Sequence, residues 1–131
     1  MSVYNHVDGV DILMIGININ DRDYPFTELI LSGVKTIETR KSTTLHPYIG
    51  RRVGVIRTGK GKAMLVGFIT IGEPIRYNSE EQFRRDESKH CVAKGSRYDI
   101  DTAGKWGYQI IDPVRIEPTL VTSKGIVARH I

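Results

Sequence analysis

The 131-residue chain predicts an α+β domain, a small and mostly antiparallel β-barrel with two or three short helices. Three observations lead there. Five or six segments show the β-branched or period-two pattern of strands, two show helical spacing, and the two kinds do not alternate as βαβα units would. Gly16, Gly54, Gly67 and Gly72 stand inside or beside strands, as sharply bent sheets require. At 40% hydrophobic and 26% charged residues, the chain suits one domain with its own core, which excludes collagen-like, disordered and repeat architectures. A single domain over residues 1–131 is the expectation.

Residues 1–10 are polar and without period, and read as a flexible, partly ordered leader. Residues 12–19 are continuously apolar and then alternate, the pattern of a core strand. Asp21, Asp23 and Pro25 supply helix-start chemistry; Phe26, Leu29 and Ile30 follow at helical spacing, and Gly33 ends the helix. Residues 34–40 predict a strand that sends Thr36, Glu38 and Arg40 to one face and Lys35, Ile37 and Thr39 to the other. After a polar loop with His46 and Pro47, residues 52–58 and 63–71 predict two strands joined by the basic turn Gly59-Lys60-Gly61-Lys62, with Glu73-Pro74 closing the second. Ser79 and Gln82 have capping-box spacing for a surface helix to about residue 90 that buries only Phe83. Residues 94–104 predict a mobile loop, and 106–111 an alternating strand that Pro113 interrupts before 114–116. Residues 121–131 carry no usable pattern.

Lys and Arg total 19 against 15 Asp and Glu, a net +4 that is unevenly placed. Residues 1–50 hold 4 basic and 6 acidic side chains, whereas 51–131 hold 15 and 9. Between residues 40 and 62 there are seven basic residues and no acid: Arg40, Lys41, Arg51, Arg52, Arg57, Lys60 and Lys62. Such a field favours an anionic partner, nucleic acid or a phosphorylated small molecule. Cys91 is the single cysteine, which excludes an internal disulfide and a multi-cysteine zinc site and fits a reducing cytoplasm. The longest apolar run, 12–17, is far short of a membrane span, and no secretory signal opens the sequence, so a cytoplasmic protein without membrane attachment is expected.

Glu38 and Arg40, two apart on one strand face with Thr36 beside them, combine a carboxylate, a guanidinium and a hydroxyl that can grip a nucleobase edge or hold one another. Lys35 sits at the helix-to-strand corner, able to swing over the same cleft, where apolar surroundings would let it act as base or nucleophile. The structural alternative is a Glu38–Arg40 ion pair bracing a barrel mouth, with Lys35 in solvent. Arg51, Arg52, Arg57, Lys60 and Lys62 are candidates for phosphate contact, or form a solvated rim. Trp106, Tyr108 and Tyr77 are candidates to stack on a base, or core residues; Tyr24 and Phe26 could line the same cleft. The four histidines lack metal-site spacing, there is no phosphate loop or nucleophile elbow, and Cys91 beside His90 reads as an ordinary thiol.

The segment Gly33-Val-Lys35-Thr-Ile-Glu38-Thr-Arg40 resembles the signature Gly-x-Lys-x-x-Glu-x-Arg of the ASCH family in the PUA-like superfamily. Gly50-Arg51 opening a strand and the pair Trp106 and Tyr108 extend the resemblance over residues 12–116. It implies a PUA-like barrel and a module that binds RNA or a nucleotide through Lys35, Glu38 and Arg40. Some members of the family are hydrolases, acting on acylated cytidine or on RNA, which offers a second reading in which Lys35 and Glu38 are catalytic. The amidohydrolases carry a threonine where this chain has Glu38, so that nucleophile is absent. Neither reading calls for a metal or a cofactor.

Overall fold

The computed structural model describes the backbone of residues 4–7 and 10–131 and the side chains from Met14 onward. Residues 1–3, 8 and 9 of the expected leader lie outside the described residues. Its remainder takes part in an antiparallel ladder of β1 (Tyr4–Val7) with β2 (Val10–Leu13). The apolar run at 12–19 is therefore divided at Met14 between this ladder and the first strand of the main sheet.

That sheet contains β3 (Ile15–Asn20), β4 (Ile37–Arg40), β5 (Arg52–Thr58), β6 (Met64–Tyr77), β7 (Lys105–Leu120) and β8 (Ala128–His130), in the order β4-β7-β6-β5-β3-β8. Every neighbouring pair is antiparallel except β3 with β5. Helices α1 (Phe26–Leu31), α2 (Glu80–Arg85) and α3 (Glu87–His90) and a 3-10 turn at His46–Tyr48 fill the connections.

The expected barrel is not closed. β4 and β8 are the two edges of the sheet, and no ladder joins them. The sheet still curls, because the β6–β7 ladder slips register at Leu65/Gly67, Phe68/Thr70 and Ile71/Pro74. These slips also correct two expected strand ends. Pro74 and Pro113 lack an N–H to give to a ladder, but both fall at slips, and the strands run through them; Asp112 takes a left-handed φ of 50° there. The curl carries β4 round to face β3, and Arg40 Nη2 spans the gap to donate to the Asn18 carbonyl at 2.8 Å. A side chain, not a ladder, bridges the seam.

Burial of Ile17, Ile19, Ile30, Val53, Val55, Ile69 and Ile71 between α1 and the sheet forms the main core. The start of α1 is capped from upstream: the Asp21 carboxylate accepts from the backbone N–H and the hydroxyl of Thr27. The capping box at α2 is present, with Gln82 N–H donating to Ser79 Oγ at 3.2 Å and Asn78 N–H to Gln82 Oε1 at 2.8 Å. The helix expected to reach residue 90 breaks at Asp86 into α2 and α3. Residues 94–104, expected to be mobile, are stitched down by Arg84 to Asp99 (2.6 Å), Gly95 N–H to Asp99 (2.8 Å), Arg76 to the Ala103 carbonyl (2.6 Å) and Lys105 to the Tyr98 carbonyl. Among the described residues no helix is long and apolar enough to cross a membrane, and no group of three metal-ligating side chains occurs.

Candidate functional site

The open seam between β4 and β3 is a cavity of about 400 Å³. Glu38 is its centre. Its Oε2 accepts from Arg40 Nε at 3.1 Å and lies 3.0 Å from Arg40 Nη2, while Oε1 lies 3.6 Å from Lys35 Nζ. Arg40 thus braces Glu38, and Lys35, Glu38 and Arg40 all line one cavity.

Lys35 is not in solvent. It is 1% exposed, its Nζ donates to the His90 carbonyl, and it lies 4.9 Å over the Phe26 ring. Period-two reasoning put it opposite Glu38, but β4 begins only at Ile37, and Lys35 belongs to the turn out of α1, tied by its N–H to the Leu29 carbonyl at 2.8 Å. The same late start removes Thr36 from the site: its N–H donates to the Lys89 carbonyl, and it lines a separate hollow with Asp86 and Lys89. Thr39 lines the main cavity instead.

Burial holds the Lys35 ammonium below the ordinary lysine range, against the pull of Glu38. Lys105, 3% exposed behind the site, is likewise pushed down by burial, to about 8. His90, whose carbonyl anchors Lys35, is fully buried and stacked on Phe83 at 3.9 Å. Its Nδ1 accepts from Val92 N–H at 2.9 Å, which leaves Nε2–H to donate to the Phe83 carbonyl at 2.7 Å. The ring is neutral, and burial lowers its pKa. Unfolded, His90 protonates as pH falls through about 6.5, while the folded ring resists, so stability should drop on acidification below that point. The denaturation midpoint measured at pH 7.5 and 5.5 should fall in the wild type and fall less in His90→Gln.

The acid-free basic run does not form one rim. β5 is about 20 Å long at strand rise, and the run occupies both ends of it. Arg52, at its start, donates to the Asp112 carbonyl at 2.6 Å and to Thr70 at 3.3 Å, and exposed Arg51 lies 5.6 Å over Tyr48; neither lines the cavity. Lys60 and Lys62 follow the far end, where Thr58 does line it, and Arg57 and Lys60 border an adjoining hollow of about 340 Å³ that also holds the Glu28–Arg115 pair.

The aromatic candidates are redistributed in the same way. Tyr108 is fully buried, with its hydroxyl hydrogen-bonded to His46 Nδ1 at 2.6 Å, and Tyr77 is buried with its hydroxyl on Asp86 at 2.6 Å. Neither has a ring face open to a base: Tyr108 turns into the core from β7, which is flanked by β4 and β6, and Tyr77, at the end of β6, packs edge-on against Phe83 at 5.3 Å. Trp106 is half-buried, edge-on to His46 at 4.8 Å with Arg76 5.3 Å over its ring, and lies outside the cavity. The rings that do line it are Phe26 and Tyr98, 5.3 Å apart, with Tyr24 packed behind them at 5.5 and 6.1 Å. Tyr98 and the cavity cation Arg129 were not indicated by the sequence: one lies in the Gly- and Asp-rich loop, the other in the patternless 121–131 stretch. Lys35, Arg40 and Arg129 face a single carboxylate, so the cavity is net positive.

No model of a protein family and no curated protein matches this chain. Solved structures do. The crystal structure of ASCH from Zymomonas mobilis superposes with a TM-score of 0.68 at 20% identity, covering 82% of this chain and 73% of that one. A tyrosine-to-phenylalanine variant of the same protein gives 0.68 at 20% identity over 82% and 76%, and a serine-to-alanine variant 0.72 at 17% over 90% and 87%. With most of both chains aligned at such low identity, what is shared is the backbone arrangement: the chain has the fold of that ASCH structure.

Proposed function

We propose that the seam cavity binds a nucleotide, free or as an unstacked unit of single-stranded RNA. The observation that carries this reading is the charge and shape of the site: one braced carboxylate and three cations in about 400 Å³, beside two aromatic rings. Glu38 accepts a hydrogen bond from an exocyclic amine, Phe26 and Tyr98 offer apolar surface to the base, and Arg40 and Arg129 face the phosphate. Lys60 and Lys62 beyond Thr58 extend the phosphate contact along a strand. Arg51, Arg52 and Trp106 contribute nothing to this cavity. The volume suits one nucleotide unit rather than a duplex, and the resemblance of residues 33–40 to the ASCH signature implies an RNA-associated role.

Affinity for an eight-nucleotide single-stranded RNA, measured between 50 and 200 mM salt, should fall with a log–log slope of about −1.5 to −2, as for two or three neutralised phosphates. Lys60→Gln should flatten it. Salt-independent binding, or none, would overturn the reading.

One observation favours a second reading on the same cavity, a hydrolase. A buried lysine with a lowered pKa, 3.6 Å from a carboxylate, is an acid–base pair. Glu38 takes a proton from water as the water oxygen bonds to the substrate carbon or phosphorus, and Lys35 returns a proton to the leaving nitrogen or oxygen. Incubation with N4-acetylcytidine and with RNA tests it: product should form with wild type and not with Glu38→Gln or Lys35→Ala. A wild-type trace identical to buffer would end this reading.

A further inference from the structure

Residues 121–127 connect β7 to β8 and form part of the cavity wall on the β3 side, through Gly125 and Ile126. Asn18 fastens them. Its Nδ2 donates to the carbonyls of Gly125 (2.9 Å) and Ile126 (3.0 Å), and its backbone N–H donates to that of Val127 (2.9 Å). Asn18 Oδ1 accepts from Arg129 Nε at 3.0 Å, and Arg129 Nη1 donates to the Ser123 carbonyl at 2.9 Å. The backbone carbonyl of the same Asn18 accepts from Arg40, the residue that braces Glu38. One residue on β3 thus ties the connecting segment to the carboxylate across the seam.

With its carbonyls turned in to Asn18, this segment presents Ile126 outward at the cavity mouth. Ile126 is 96% exposed, against 41–55% for the other exposed large hydrophobic residues. A lone exposed isoleucine is unremarkable on a free loop; this one stands on a pinned backbone at the rim of the cavity, on the wall across from Glu38 and Arg40. We propose that Ile126 is the apolar cover of the bound base and that Asn18 is the positioning residue that sets where the cover sits. The inference rests on the nucleotide reading and deepens it: the site takes nucleotides by the base as well as by the phosphate.

Cytidine 5′-monophosphate and ribose 5-phosphate, which lacks the base, separate the two contributions. Calorimetric titration of the full chain should show tighter binding of the nucleotide. Ile126→Ala, a change at an exposed position, should weaken nucleotide binding about tenfold, as expected for losing contact with roughly two methylene equivalents, and leave ribose 5-phosphate within twofold. Ile126→Leu should restore it, and Asn18→Ala should weaken nucleotide binding at least as much with the fold intact by circular dichroism, its loss extending to ribose 5-phosphate because Asn18 also holds Arg129. Unchanged nucleotide affinity in Ile126→Ala, or equal losses for both probes in that variant, overturns the cover. Equal wild-type affinity for both probes also overturns it while leaving phosphate recognition standing. Binding of neither probe overturns the nucleotide reading and this inference together.

Discussion

Glu38→Ala is expected to cost about 3–5 kcal/mol of folding stability, the range for removing one partner of a buried ion pair. The carboxylate is 8% exposed and answers two cations. Without it, Arg40 keeps the Asn18 carbonyl, but Lys35, 1% exposed, keeps only the carbonyl of His90. Two positive charges, one of them fully buried, then share the seam with no counter-charge. Glu38→Gln retains an oxygen for Arg40 and removes only the charge, so it should cost less, about 1–3 kcal/mol. Urea denaturation followed by circular dichroism orders the three proteins. If the alanine variant lies within 1 kcal/mol of wild type, Glu38 is not what makes the buried Lys35 and the part-buried Arg40 tolerable. The glutamine variant is expected to stay folded, so its nucleotide affinity isolates the functional part, and a loss of at least tenfold is expected.

The parts of this site that could be read from the sequence are those in which neighbours in the chain are neighbours in space. Glu38 and Arg40 share a strand face, so a period of two was enough to pair them. Local chemistry also located α1, its stop at Gly33 with φ 82°, and the capping box at Ser79. Thr36 went to the wrong side because the strand starts two or three residues later than its pattern, and nothing in the pattern marks that boundary; Lys35, read at the helix-to-strand corner, does reach the cavity. The acid-free run from Arg40 to Lys62 looked like one surface because charge was counted along the chain, whereas β5 carries its two halves to opposite ends. Asn18, Tyr98, Ile126 and Arg129 were invisible for a stronger reason. They meet β4 only because the sheet curls, and the curl comes from register slips between β6 and β7 that no segment encodes by itself. The same slips mislead any count of strands, since prolines that should end β6 and β7 are absorbed by them.

Lys35→Met should separate function from stability in the opposite sense to Glu38→Ala. Methionine has nearly the length of lysine, is apolar, and adapts to the space beside Phe26 that the lysine stem now fills. The substitution removes a buried ammonium while Glu38 keeps its bonds to Arg40, so no charge is orphaned, and stability at pH 7 should change by no more than about 1 kcal/mol. The pH dependence supplies the sign. With its folded pKa below the unfolded value, Lys35 sheds its proton earlier in the folded state as pH rises; the unfolded chain then binds more protons, and wild-type stability should rise between the folded pKa and about 10.5. Lys105, lowered to about 8, contributes in the same direction and persists in the variant, so the rise should shrink rather than vanish. Nucleotide affinity should nevertheless fall at least tenfold, and any hydrolysis should cease, because the variant loses the one cation held against Glu38 from inside the protein. A loss of stability above about 3 kcal/mol would instead make Lys35 a structural counter-ion to Glu38. A stable variant that no longer binds would mean that the chain buries this lysine for its ligand, since the fold alone is served as well by a methionine.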